Sequence, residues 1–351
     1  MQRFTIHSLV ILISIFVISC GTDALQISGE WQFEGLEGVA INKIIPSSYG
    51  DQLILATDNG VFVHEEGQLT PAGLQDGTVV TLVEMGERKM LAGTRIRNKN
   101  GVPATLFKTT DGGETWLMHM GNYGGEERKY ITVNALAVHP DNPKTLYARG
   151  MLNVTRSVDG GHTWENLYYD WDWITSYASL LKIDPNKPDI IWAGGANAGF
   201  RPNLMRTTDD GKTWENMWRK LQIFEFEFES ITHSIVIRPG RSSHLLLGLD
   251  VGIFRSTDLG ESWESVFDGA AVLSLANSPR SSRTVYGSGI NQNRALFLLV
   301  TPDFGTTWAI NEMEDSPGNI HTNDLVVVEK NGREVLYFGT NKGLFSYRID
   351  K

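Results

Sequence analysis

The chain has 351 residues, 41 % of them hydrophobic and 21 % charged, which excludes an intrinsically disordered protein and allows a large core. A net charge of −10 argues against nucleic acid as a partner, and a single cysteine excludes a disulfide scaffold. The length fits two or three ordinary domains or one large all-β domain, and 36 glycines with 10 tryptophans point to a unit that reuses both.

Arg3 and the apolar run at 9–18 (LVILISIFVI) predict a signal peptide over 1–19. The run is short for a membrane span. Its end, Val17-Ile18-Ser19-Cys20, resembles the bacterial lipobox, in which the signal is cleaved before a cysteine that becomes the lipidated N-terminus. The resemblance implies lipidation of Cys20, the only cysteine, and a tether over 20–28. It also implies residence in a bacterial cell envelope. Gly21 stands where an aspartate would resemble an inner-membrane retention signal, so the outer membrane is the expected address. The plainer reading is an ordinary signal peptide with an incidental cysteine.

One pattern, Ser/Thr-x-Asp-x-Gly-x-Ser/Thr-Trp, then recurs five times, at 109–116, 157–164, 207–214, 256–263 and 301–308. Its aspartates, Asp111, Asp159, Asp209, Asp258 and Asp303, lie 48, 50, 49 and 45 residues apart, a period typical of propellers and solenoids. Its tryptophans are Trp116, Trp164, Trp214, Trp263 and Trp308. Around the motif, three short β-branched and aromatic runs bounded by turn residues recur seven times, and a fourth begins at the motif tryptophan. Four strands in seven units predict an all-β, seven-bladed β-propeller of four-stranded blades over 29–351. The last unit stops after its third strand. Residues 29–36, with Trp31 in the motif-tryptophan place, are the expected missing strand that closes the ring.

The motif resembles the Asp box of the bacterial neuraminidase repeat, and the resemblance covers nearly the whole chain after the tether. An aspartate in a tight turn accepts nearby backbone N–H groups, and glycine there takes positive φ. The five aspartates are therefore expected to hold hairpins between third and fourth strands rather than to be catalytic or calcium-binding groups. The resemblance also implies that these hairpins face away from a binding site. Photosystem II assembly factors are similar in architecture: Asp-box repeats, seven blades, one domain, lipid-anchored in some bacteria. Their arginine-rich surface is matched only weakly, by Arg95 and Arg97. Sialidases use six blades and an early Arg-Ile-Pro motif, whereas Ile237-Arg238-Pro239 has neither its order nor its place. Xyloglucanase-like enzymes use seven-bladed domains in tandem, with carboxylates facing across the cleft.

Long loops in a compact fold are the places to seek function. Four stand out. A basic loop holds Arg95 and Arg97. A Tyr-Asp-Trp run holds Tyr168, Tyr169, Asp170, Trp171, Asp172 and Trp173. A glycine- and asparagine-rich stretch holds Arg201, and a Phe-Glu alternation holds Glu225 and Glu227. The Tyr-Asp-Trp run reads as an aromatic platform with carboxylates or as blade-edge packing, and the Phe-Glu run reads as an extra strand with one wet face. His233 shares one place in the repeat with Asn134, Ser179 and Asn323. It is expected near the mouth of the central channel, as a ligand or as a hydrogen-bonded structural histidine. No spacing suggests a metal site or a nucleotide loop, so no cofactor is expected.

Two functions follow. One is a monomeric, non-enzymatic binding or assembly scaffold for a protein or glycan partner at the loop-rich face, held to a membrane through Cys20. The other is a glycoside hydrolase. Hydrolysis needs two carboxyls roughly 5–5.5 or 6.5–9.5 Å apart, and Asp170, Asp172, Glu225 and Glu227 are the clustered candidates.

Overall fold

In the run Leu53–Thr57 all five residues are buried. The two-residue period of a strand sends Leu53 and Leu55 into one apolar cluster, with Val335, Tyr337 and Leu344, and Ile54 and Ala56 into another, with Val79, Leu82 and Met90. A strand covered on both sides needs a continuous hydrophobic run rather than an alternating one. The second strands of the other repeats are built the same way. In Arg241–Leu249, for example, Leu245 and Leu247 face one cluster and Leu246 the next.

The computed structural model describes residues 27–96, 105–123, 132–169, 177–196, 202–221, 230–291, 295–313 and 318–349. Among them, 28 strands form seven four-stranded antiparallel sheets. Six sheets are sequential meanders, here blades 1 to 6. Their first strands are Ile41–Pro46, Val79–Gly86, Ala135–His139, Tyr177–Ile183, Thr232–Arg238 and Ala271–Asn277. Blade 7 begins at Thr322–Lys330. Each first strand touches that of the next blade, and Thr322–Lys330 touches Ile41–Pro46, so the ring is closed. The protein is an all-β, seven-bladed β-propeller; among the described residues one four-residue helix, Trp218–Leu221, follows the short outer strand of blade 4.

Seven apolar clusters fill the seven seams between blades. In six of them the motif tryptophan, or Trp31, packs against the preceding blade. At the blade 7–blade 1 seam Leu69 takes that part. Side chains also bond the backbone of the neighbouring innermost strand. Thr81, Ser234 and Ser274 hydroxyls accept the N–H groups of Leu136, Leu275 and Leu325 at 3.3, 3.1 and 3.0 Å, and Asp324 accepts that of Ile44 at 2.8 Å. Asn42 and Asn323 donate to the carbonyls of Val79 and Ile41. These bonds satisfy backbone groups on an edge that has no fifth strand to pair with.

The expected closure is present. Gly29–Gly35 pairs antiparallel with Gly343–Ile349 as the fourth strand of blade 7, placing Trp31 opposite Tyr347 and Phe33 opposite Phe345. Trp31 lies within this strand, whereas the five motif tryptophans stand just before theirs. Its ring packs 4.7 Å from Phe338 and 5.1 Å from Tyr347, and its Nε1 donates to Asn311 of blade 6 at 3.3 Å. On the same strand Glu34 accepts the Ser346 hydroxyl at 2.6 Å and meets His64 Nε2 of blade 1 at 3.2 Å. Both members of the Glu34–His64 pair are buried. The hydrogen bond from His64, with that from Ser346, holds the Glu34 carboxyl below its ordinary pKa although burial opposes this. One strand thus ties blades 6, 7 and 1.

Deleting residues 29–36 should open the ring and lower the thermal midpoint by roughly 10 °C or more. Glu34→Ala should cost about 2 kcal/mol at neutral pH, because it leaves the buried His64 Nε2 and Ser346 hydroxyl without their acceptor. A carboxyl with a lowered folded pKa stabilises fully above its unfolded value and loses that contribution as pH falls through the folded one. The gap between wild type and Glu34→Ala in denaturant midpoint should therefore narrow below about pH 4.

Candidate functional site on the loop face

In a four-strand meander the first–second and third–fourth turns open on one face of the ring. The second–third turn and the link to the next blade open on the other. All five motif turns join third and fourth strands, so they share the first, or turn, face. The described strand ends that border residues 97–104, 170–176, 197–201 and 222–229 all open on the second, or loop, face.

Each motif aspartate is saturated within its own turn. In blade 2, Asp111 Oδ1 accepts the Thr109 hydroxyl at 2.7 Å and the Thr115 N–H at 2.9 Å, and Oδ2 accepts the Thr115 hydroxyl. The same set recurs at Asp159, Asp209, Asp258 and Asp303. These donors depress the carboxyls. Asp209 falls to about 2 through the Thr213 hydroxyl, the Thr213 N–H and the Thr207 hydroxyl. At Asp159, Asp258 and Asp303 partial burial pushes the other way but the donors outweigh it. The fixed glycine has φ between 83° and 98°. A Cβ added at Gly113 would sit 2.7 Å from the Ala72 carbonyl oxygen of blade 1, so the motif also fits the turn against the preceding blade.

A second device braces the turn face. The residue just before the motif is Lys108, Arg156, Arg206 or Arg255 in blades 2 to 5. Each donates to the backbone carbonyl at the motif's fourth position in the next blade: Gly160 at 3.0 Å, Asp210 at 3.4 Å, Leu259 at 2.5 Å and Phe304 at 3.5 Å. Those four residues all have positive φ, between 60° and 74°. Arg156 also pairs with the Asp210 carboxylate, and Arg206 with Glu215 and Glu261.

On the loop face, Arg95 is exposed just past the second strand of blade 2, its N–H bonded to Thr78 O at 3.0 Å. Tyr168 and Tyr169 end the fourth strand of blade 3. Tyr168 packs 6.0 Å from Trp214 of blade 4, and Tyr169 is 46 % exposed. His233, near the start of the first strand of blade 5, contacts Asp250 Oδ1 through Nε2 at 2.6 Å. The other Asp250 oxygen accepts the Ile231 N–H at 2.7 Å. His233 is thus a carboxylate-oriented imidazole rather than an isolated ligand. Asn323, expected beside it at the channel mouth, is used in a blade-to-blade bond. Arg97, Asp170, Trp171, Asp172, Trp173, Arg201, Glu225, Glu227 and Cys20 lie outside the described residues. Among the described residues no three His, Cys, Asp or Glu side chains come together as a metal site.

One loop-face residue escaped the sequence reading altogether. Arg149, at the end of the second strand of blade 3, is 3 % exposed, and its Nε has no hydrogen-bond partner among the described residues. Burial holds the guanidinium down to about 10.

The sequence matches no protein-family model and no curated protein. Solved structures do resemble it. It is similar to the GH74 xyloglucanase from Xanthomonas campestris, with a TM-score of 0.62 and 17 % identity over 89 % of this chain and 43 % of that one. It is similar to YCF48 bound to D1 peptide, with a TM-score of 0.63 and 15 % identity over 93 % of this chain and 99 % of that one. A third is the extracellular domain of a putative hybrid two-component system from B. thetaiotaomicron, with a TM-score of 0.60 and 12 % identity over 92 % and 40 % of the two chains. The chain spans less than half of the xyloglucanase and nearly all of YCF48. These likenesses establish the propeller fold that the strand order defines.

The depressed motif carboxyls stabilise the protein fully above the ordinary aspartate pKa, and that stability is lost as pH falls toward their folded values. Asp209→Asn should therefore flatten the loss of stability between about pH 4 and pH 2, read from urea midpoints across that window.

Proposed function

We propose that the protein is a binding or assembly scaffold of the bacterial cell envelope, not an enzyme, that engages a protein or glycan partner through its loop face. The observation that carries this reading is the division between the two faces. The turn face is self-satisfied and cross-braced, with every motif aspartate saturated locally and held ionised. The loop face has the exposed Tyr169 and Arg95 and the His233–Asp250 pair. We read the five turns as Asp boxes with a structural role only.

A further observation supports binding over hydrolysis. The chain spans 99 % of YCF48, a single-propeller match solved with a peptide, against 43 % of the xyloglucanase. In this reading Cys20 carries the lipid anchor, residues 20–28 form the tether, and the propeller acts as a monomer.

The test is capture of a partner from native membranes by the lipidated protein, beside a glycan array. Tyr169→Ala with Arg95→Glu should weaken capture about tenfold or more, while Asp303→Asn on the turn face should leave it unchanged. Turnover of a glycoside, abolished by Asp172→Asn, with no partner recovered, would contradict the scaffold reading. Cys20→Ser should move the protein from the membrane fraction to the soluble fraction, and unchanged fractionation would remove the anchor.

A further inference from the structure

One position in the second strands is kept small in six blades and is arginine in the seventh. Ala56, Gly93, Gly248, Ser288 and Gly339 stand opposite Lys43, Thr81, Ser234, Ser274 and Asp324 of the first strands, and Gly194 stands opposite Leu180. The reason is steric. A Cβ added at Gly93, Gly194, Gly248 or Gly339 would lie 2.7–2.8 Å from Val133, Thr232, Val272 or Ile41, each belonging to the next blade. In blade 3 the residue in this register, opposite Ala135, is Arg149.

Strand alternation fixes where its side chain goes. Leu146 and Ala148 face the blade 2 seam and Tyr147 faces blade 4, so Arg149, two residues beyond Tyr147, also faces blade 4. A guanidinium takes more room than the alanine, glycine or serine at this place in the other blades. Among the described residues, the apolar cluster at this seam is the smallest of the seven, with Tyr147, Ile183 and Ile191 its fully buried members. The arginine is 3 % exposed, its Nε is unpartnered, and no carboxylate acts on it among the described residues; the one group that does is the Tyr168 phenol. Burying a cation without an acceptor is costly, and a ligand carboxylate paired with it would offset that cost.

We propose that Arg149 is the anchor of a carboxylate-binding site for a small organic acid, set at the loop-face end of the seam between blades 3 and 4. The planar fork of a guanidinium matches a carboxylate through two parallel N–H···O bonds. A single cation balances a single negative charge. The near-complete burial of Arg149 admits only a slender acid. The site deepens the reading of the loop face as the binding face, and its failure is distinguishable from failure of that reading.

The experiment is thermal denaturation of the full chain in sodium propionate against sodium chloride at equal ionic strength, with Arg149→Met as the variant. Propionate should raise the wild-type midpoint by roughly 2 °C or more beyond chloride. Arg149→Met should melt no lower than wild type in chloride, because it removes an unpaired buried charge, and should not respond to propionate. Saturable broadening of the propionate carbon-13 carboxylate resonance by wild type gives a second readout that needs no variant. Equal wild-type midpoints in the two salts, an equal response in Arg149→Met, or a response to polymeric uronate or acidic peptide alone would each overturn the proposal. If propionate fails while partner capture still depends on the loop face, this site falls and the scaffold reading stands.

Discussion

A ring of sheets holds only if its last seam closes, and here that seam depends on one strand from the far end of the chain. Each blade contacts only its two neighbours, so without closure the fold would be an open solenoid with two exposed ends. Gly29–Gly35 removes both ends at once. Its Trp31 is bonded to blade 6, its backbone to blade 7, and its Glu34 to His64 of blade 1. The Glu34–His64 contact is a buried hydrogen-bonded pair in the one seam that lacks a motif tryptophan. Specific polar bonding there takes the place of a large ring packed over the neighbouring turn.

The same logic separates the two faces. On the turn face, each aspartate finds its donors within four residues, and in blades 3 to 6 a cation from the preceding blade caps the turn. No motif carboxylate in those turns is left to recruit a ligand. On the loop face the strands end without such a repeating brace among the described residues. The groups found there differ from blade to blade: Arg95 in blade 2, Arg149 with Tyr168 and Tyr169 in blade 3, and His233 with Asp250 in blade 5. In the proposed reading, a surface built from repeats specifies a partner where the repeats disagree.

How much the sequence revealed follows from the range of each interaction. The motif aspartates, the strand count and the closing strand were all readable, because each rests on local chemistry repeated at a fixed period or on a simple tally of strands. The cations before the motif were not, since Arg156 finds its acceptor 54 residues away, in the next turn of the ring. Asp250 was missed for a similar reason: only the hairpin brings it onto His233. Arg149 did leave a trace, a long charged side chain where other repeats have alanine, glycine or serine. That trace acquires meaning only once the register shows how closely the next blade approaches. The Tyr-Asp-Trp and Phe-Glu runs beyond Tyr169 and Leu221 fall outside the described residues, so their part in the site rests on the strand ends that carry them.

The central claim is that the two faces have different work: one braces the ring and the other binds. Amide hydrogen exchange of the protein, alone and with its captured partner, tests it most directly. The account predicts new protection at the loop-face strand ends, around Arg95, Arg149, Tyr169 and Asp250, and unchanged exchange in the five motif turns. Protection centred on the motif turns, with the loop-face ends unaffected, would contradict it.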